Sequence, residues 1–257
     1  MPYLALAIHP DWLAKFDAQA AAPASEATTH RGVAVVPVTG AIYRGAAERI
    51  VAQVQAAVAD PRIAAVVLGL DTPGGTTTGL PEAHAALMAL RGTKPIVAQV
   101  SHMAASAGYW LASAADEIVA SPSSVVGSIG VYMMHVDQSA ALAQEGLKAT
   151  YISAGRDKVL GNGTEPLSDE GRAYYQGMVD EAYAQFTGDV ARGRGVGLET
   201  VQGDAYGSGR VVTPRVALAQ GMIDSIATLG DTLARFMPAS ATQRRARQLA
   251  LLTITGT

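Results

Sequence analysis

A chain of 257 residues, 49% of them hydrophobic, can bury one large α/β core or two small ones. Its net charge of -3 leaves no cationic excess for a general nucleic-acid binder, and the absence of cysteine excludes disulfides, thiolate metal sites and cysteine nucleophiles. The five histidines (His9, His30, His84, His102 and His135) show no metal-ligand spacing.

No apolar run approaches the ~18 residues of a membrane span. The opening Met1–Ala7 lacks the basic region of a signal peptide. A soluble, cytoplasmic protein with no metal and no membrane anchor is the expectation.

Residues 1–31 read as an arm and linker, because 18–31 carry few large apolar groups. From Gly32 to residue 237, strands and helices alternate. Gly32–Val38 is a predicted strand. Residues 45–59 form a helix with Ile50, Val51, Val54, Ala57 and Val58 along one stripe. Ala64–Leu70 is continuously apolar, the pattern of a strand buried on both faces. Pro81–Leu90 begins on proline and is followed by Gly92, a helix start and stop. Predicted strand 95–100, helix 106–115, strands 117–120 and 128–134, helix 137–146 and strand 148–152 follow.

A longer helix spans 168–192, where Tyr174, Met178, Ala182, Phe186 and Val190 form a stripe suited to packing on the sheet. A hairpin-like element at 209–212 leads to Thr213–Pro214, the start of a helix that ends at Gly221. Residues 238–257 read as a basic tail carrying Arg244, Arg245 and Arg247, solvated or touching a partner. Strand–helix units of this length imply right-handed parallel crossovers, hence an α/β fold with a parallel sheet.

Four places on this frame carry candidate chemistry. Ser106 sits among Ala104, Ala105, Ala107 and Gly108 at a strand-to-helix corner. There the helix N-terminus favours an alkoxide and small neighbours admit a substrate backbone. The same corner suits an ordinary N-cap. Asp71-Thr72-Pro73-Gly74-Gly75 follows the buried strand, and paired glycines there either expose amides fit for an oxyanion hole or make a tight turn.

Lys158 is one of only four lysines. A serine needs a base, and a desolvated lysine can serve where arginine cannot, although a lone lysine equally suits the surface. Asp157 beside it points away if the chain is extended. Ser128, in Gly127-Ser128-Ile129-Gly130, either orients a neutral amine or ends a turn. His102, four residues before Ser106, has no evident acidic partner and is the weaker candidate base.

In this order, Asp71–Gly75, Ala105–Gly108, Gly127–Val131 and Ser153–Lys158 resemble the signal peptide peptidase A family of serine peptidases, over about Gly32–Asp224. The resemblance implies a crotonase/Clp-protease-like fold, a repeated βαβ superhelix in one domain. It implies Ser106 as nucleophile, Lys158 as general base and Ser128 as the residue that orients the lysine. The amides of Gly75 and Ala107 become the oxyanion hole, with Gly74 and Thr76 in the substrate cleft. It also implies a polypeptide substrate, no cofactor, and a homo-oligomeric ring or dome in which the lysine can come from a neighbouring subunit.

Lys158-Val159-Leu160-Gly161-Asn162 and the lack of a transmembrane anchor are more similar to the tailed-phage and prophage head proteases. That implies head assembly or maturation, or peptide degradation, with capsid or scaffold proteins as partners in the host cytoplasm. Two other classes stay open. One is a crotonase-type acyl-CoA hydratase or hydrolase, which shares a Gly-Gly oxyanion hole. The other is a non-catalytic capsid-assembly or scaffold-binding module.

Overall fold

The apolar run at 64–70 becomes a central strand of one eight-stranded sheet in a computed structural model that describes residues 26–43 and 45–237. The expected arm 1–17, the linker before residue 26 and the basic tail lie outside the described residues. β1 (Thr28–His30) pairs antiparallel with β2 (Val33–Thr39). β3 (Ala65–Thr72), β4 (Ile96–Ala105) and β5 (Glu117–Ala120) then add in parallel and in sequence order. β8 (Ser225–Ile226) joins beyond β5.

α1 (Ala46–Ala59), α2 (Leu80–Leu90) and α3 (Ala107–Ser113) connect these strands. Because the strand order never reverses, right-handed crossovers put all three helices on the same face. There Ile50, Val54, Leu87 and Leu111 share one core with Val36, Leu68, Leu70 and Val100. The opposite face is thinner. Val33, Ala65, Val67, Val97 and Val119 are covered by α8 (Leu229–Phe236) through Leu229, Leu233 and Phe236.

β4 is the element that positions the site. Its first half, Val97–Val100, pairs with β5; its second half, Met103–Ala105, pairs instead with β6 (Val125–Gly127). β6 in turn pairs antiparallel with β7 (Val211–Val212). The sheet therefore forks at the carboxyl end of β4, five residues beyond the predicted end of that strand. α4 (Ser139–Gln144) follows β6. The long α5 (Asp169–Arg194) starts on Ser168, whose hydroxyl accepts from the Gly171 amide. α6 (Leu198–Gln202) and α7 (Pro214–Ala219) complete the order.

Several sequence expectations need correction. Residues 28–30, placed in the linker, form edge strand β1; its Thr-Thr-His composition gives no apolar signal. The strand expected at 128–134 lies at 125–127, because positive φ at Gly127 and Ser128 ends the extended ladder. No strand forms at 148–152, where Ile152 is fully exposed and no neighbouring strand offers pairing. The α5 stripe packs only in its second half: Phe186 and Val190 are buried, whereas Tyr174 and Met178 are exposed. α8 adds a helix beyond the expected elements, and its capping box, Thr228 with Asp231, stands in the sequence. Among the described residues no helix is long and apolar enough to cross a membrane.

Candidate active site

The chain leaves β4 and enters α3 through Ser106 in an unusual conformation, φ 52° and ψ -121°. A side-chain-bearing residue there costs roughly 1–3 kcal/mol and persists only where its surroundings hold it. Here they do. The Ser106 amide donates to the Gly127 carbonyl at 2.8 Å, and the Ser106 carbonyl accepts from the Trp110 amide at 3.0 Å.

All seven residues of α3 are buried. Tyr109 donates its hydroxyl to the Met222 carbonyl (2.7 Å), and Trp110 Nε1 donates to Asp189 (2.8 Å). Trp110 stacks on Phe186 with ring centres 4.5 Å apart. Arg91 donates to the carbonyls of Ser113, Ala114 and Ala115 at the far end of the helix. Although Ser106 occupies the N-cap position, its hydroxyl makes no capping hydrogen bond. The plain N-cap role therefore does not account for this serine.

The Asp71–Gly75 run lies directly against that corner. Thr72 is buried, and its hydroxyl accepts from the Gly74 amide at 3.1 Å. Its methyl occupies the space beside Gly108: a Cβ on residue 108 would meet it at 2.4 Å. Gly74 has φ 101°, and a Cβ there would stand 2.7 Å from the Ser106 Cβ and 2.8 Å from the Ala105 carbonyl oxygen. Gly75 forms a parallel bridge with Ile42. That bridge uses the carbonyl of Gly74 and the amide of Thr76. Gly75's own N–H and C=O consequently point the other way, towards the β4 side where Ser106 begins α3. A Cβ on residue 75 would collide with the Ile42 carbonyl.

Ser128 follows Gly127, also has positive φ (52°), and donates its amide to Arg210 at 2.8 Å. The Thr76 hydroxyl is buried without a hydrogen-bond partner among the described residues. Gly74, Gly75, Ser106, Ala107 and Ser128 thus gather at the fork in the sheet, with Thr76 beside them.

Lys158 makes no hydrogen bond to them among the described residues. It is exposed, on a turn closed by its amide donating to the Gly155 carbonyl at 3.1 Å. It lines an open cavity of about 1060 Å³ bounded by 131–136, 157–163 and the first half of α5. Ser106 is not on that lining, and no hydrogen bond joins the two side chains among the described residues. Asp157 is not kept from Lys158 by an extended backbone, as the sequence suggested, since the segment is a turn. Arg156 takes up Asp157 instead, with contacts of 2.8 and 3.1 Å.

His102 does have an acidic partner, contrary to the sequence reading: Asp71 on β3, 3.1 Å from Nδ1. The pair joins neighbouring strands 31 residues apart in sequence, which no local pattern reveals. It still cannot serve Ser106. Four residues along a strand at ~3.3 Å per residue separate the two Cα atoms by about 13 Å, beyond hydrogen-bond reach. Among the described residues no group of three or more His, Asp or Glu side chains could hold a metal ion.

Residues 88–243, more than half of the chain, match the Peptidase family S49 model. The chain is 32% identical over 260 residues to the head-tail preconnector protein GP5 of Enterobacteria phage P21, covering 96% of this chain and 51% of that protein. It is 31% identical over 213 residues to the capsid assembly protease C of Escherichia phage lambda, covering 79% of this chain and 48% of that protein. The chain therefore spans about half the length of these curated relatives. A ClpP1 mutant from Listeria monocytogenes aligns with TM-score 0.49 and 14% identity, over 77% of this chain and 94% of that one. The matched segment contains the Ser106 corner, Ser128 and Lys158, and the chain belongs to peptidase family S49.

Proposed function

We propose that this chain is a serine endopeptidase in which Ser106 is the nucleophile and Lys158 the general base. The observation that carries the reading is the Ser106 corner: an uncapped hydroxyl on a strained residue, pressed against Gly74. Neutral Lys158 takes the Ser106 proton while Oγ attacks the substrate carbonyl carbon. The Gly75 and Ala107 amides donate to the resulting oxyanion. The lysine ammonium then protonates the departing amine, and water hydrolyses the acyl-enzyme by the same route. Ser128 orients the lysine, and Gly74 and Thr76 border the cleft where the substrate backbone lies.

No hydrogen bond joins Lys158 to Ser106 among the described residues, and in this reading the dyad is completed between copies in a homo-oligomer. The exposed apolar residues around Lys158 support this: Tyr132, Met134, Tyr151, Ile152, Tyr174 and Met178 all lie on the 131–178 region. Similarity to a capsid assembly protease and a head-tail preconnector protein supports action on capsid or scaffold polypeptides during head assembly.

The test uses an unfolded protein such as casein. Wild type should cleave it, and Ser106→Ala and Lys158→Ala should each be inactive alone. Mixing the two variants should restore part of the activity, since one supplies the serine and the other the lysine. Absence of cleavage by folded, assembled wild type would sink the peptidase reading.

A further inference from the structure

Between α4 and α5, residues 145–168 form neither helix nor strand, yet they carry the proposed base. A loop of that length keeps one shape only where other groups pin it. The pins lie just past Lys158. The Tyr175 hydroxyl of α5 donates to the Leu160 carbonyl at 2.9 Å. Asn162 Nδ2 donates to the Val159 carbonyl at 3.0 Å, while its Oδ1 accepts from the Thr164 amide (3.0 Å) and hydroxyl (2.8 Å). His135 Nε2 donates to the Asn162 carbonyl at 2.9 Å, and the Gly163 carbonyl accepts from the Gln138 amide at 2.8 Å. Gly161 has φ 69°, and a Cβ there would collide with the Tyr175 ring, so ring and turn meet with no room for a side chain. Val159 and Leu160 are half-buried beneath these contacts, whereas Lys158 is exposed.

Of these pins, Tyr175 belongs to the helix that also grips the nucleophile's helix. Farther along α5, Phe186 stacks on Trp110 and Asp189 accepts from its indole. Trp110 is the residue whose amide donates to the Ser106 carbonyl. Tyr175 and Lys158 line the same cavity. We infer that Tyr175 is a positioning residue for the base: its hydroxyl fixes the Leu160 carbonyl, and thereby the turn that presents the Lys158 amine to Ser106 of a neighbouring copy. This rests on the Ser106–Lys158 reading and on its completion between copies. Reacting groups must be held at ~3 Å, so a turn free to shift by about 1 Å spends much of its time out of range. Phenylalanine at 175 would keep the ring against Gly161 and remove only the hydrogen bond.

The experiment measures casein cleavage by the full chain. Tyr175→Phe should lower kcat about fivefold, the change expected when one hydrogen bond no longer holds a segment, with KM, circular dichroism and oligomeric mass unchanged. Co-expressed pairs of variants then show which chain carries the defect. In the parent pair, Ser106→Ala with Lys158→Ala, the first chain supplies the lysine and the second the serine. Adding Tyr175→Phe to the Ser106→Ala chain should slow the pair about fivefold, and adding it to the Lys158→Ala chain should not. An unchanged kcat in Tyr175→Phe alone, or a loss in the second pair equal to that in the first, overturns the positioning role and leaves the dyad standing. An inactive parent pair beside an active wild type overturns completion between copies and the positioning role with it. Full activity of Lys158→Ala alone overturns the dyad itself.

Discussion

Gly74 and Ser106 touch so closely that a Cβ on residue 74 would lie 2.7 Å from the serine Cβ. The contact joins the end of β3 to the start of α3 and leaves no room for any side chain between them. Gly74→Ala must therefore shift the corner, and its φ of 101° adds backbone strain. The expected cost is roughly 2 kcal/mol of stability by denaturant unfolding, with at least tenfold slower labelling of Ser106. Unchanged labelling would show that the corner tolerates displacement.

Burial pushes the His84 imidazole down to about 4; Arg192 and Arg91 add to this, and Asp189 opposes it. His84 is 1% exposed and its Nε2 has no hydrogen-bond partner among the described residues. The folded chain resists protonation there, while the unfolded chain takes up the proton near pH 6.5. The contribution of His84 to stability is thus full above pH 6.5 and lost progressively down to about pH 4. The loss is about 3 kcal/mol over that window. His84→Leu should flatten this part of the stability profile. An unaltered slope between pH 6.5 and 4 would contradict the assignment.

Asp189 is 2% exposed, accepts from Trp110 of α3 and is paired with Arg192 of its own helix. Asp189→Ala leaves the indole N–H buried and unpaired and should cost about 3 kcal/mol. Asp189→Asn retains an acceptor for Trp110 and should cost less. Thermal unfolding of the two variants separates these outcomes; equal losses would mean that the Trp110 bond carries little.

Ile152 is completely exposed in one copy. Ile152→Asp should leave the secondary structure of the chain unchanged by circular dichroism while reducing its oligomeric mass in light scattering. If the dyad is completed between copies, Ser106 labelling should fall with the oligomer. Full labelling of a monomeric variant would place the working base within the same chain.

Much of the fold was legible because its elements are locally consistent. β3 announced itself as a continuous apolar run, and Pro81 and Gly92 bracketed α2. The misreadings cluster at 128–152, where Tyr132, Met134, Tyr151 and Ile152 give a strand-like apolar signal that the core of one copy does not satisfy. Apolar patterning says that a residue should be covered, not by what. At the site, Ser106 and the Gly74–Gly75 pair could be read from small residues flanking strand ends. The Asp71–His102 pair, the fit of Thr72 against Gly108 and the capture of Asp157 by Arg156 were hidden, since each depends on packing between distant segments or on one rotamer in a turn.

The most direct test of the Ser106–Lys158 assignment is fluorophosphonate labelling of intact wild type, Ser106→Ala and Lys158→Ala, read by mass spectrometry with the oligomeric state monitored. One adduct on wild type, mapped to Ser106 and lost in both variants while assembly persists, is the predicted result. A folded, assembled wild type that takes no adduct, or a Lys158→Ala variant that labels as fast as wild type, would contradict it.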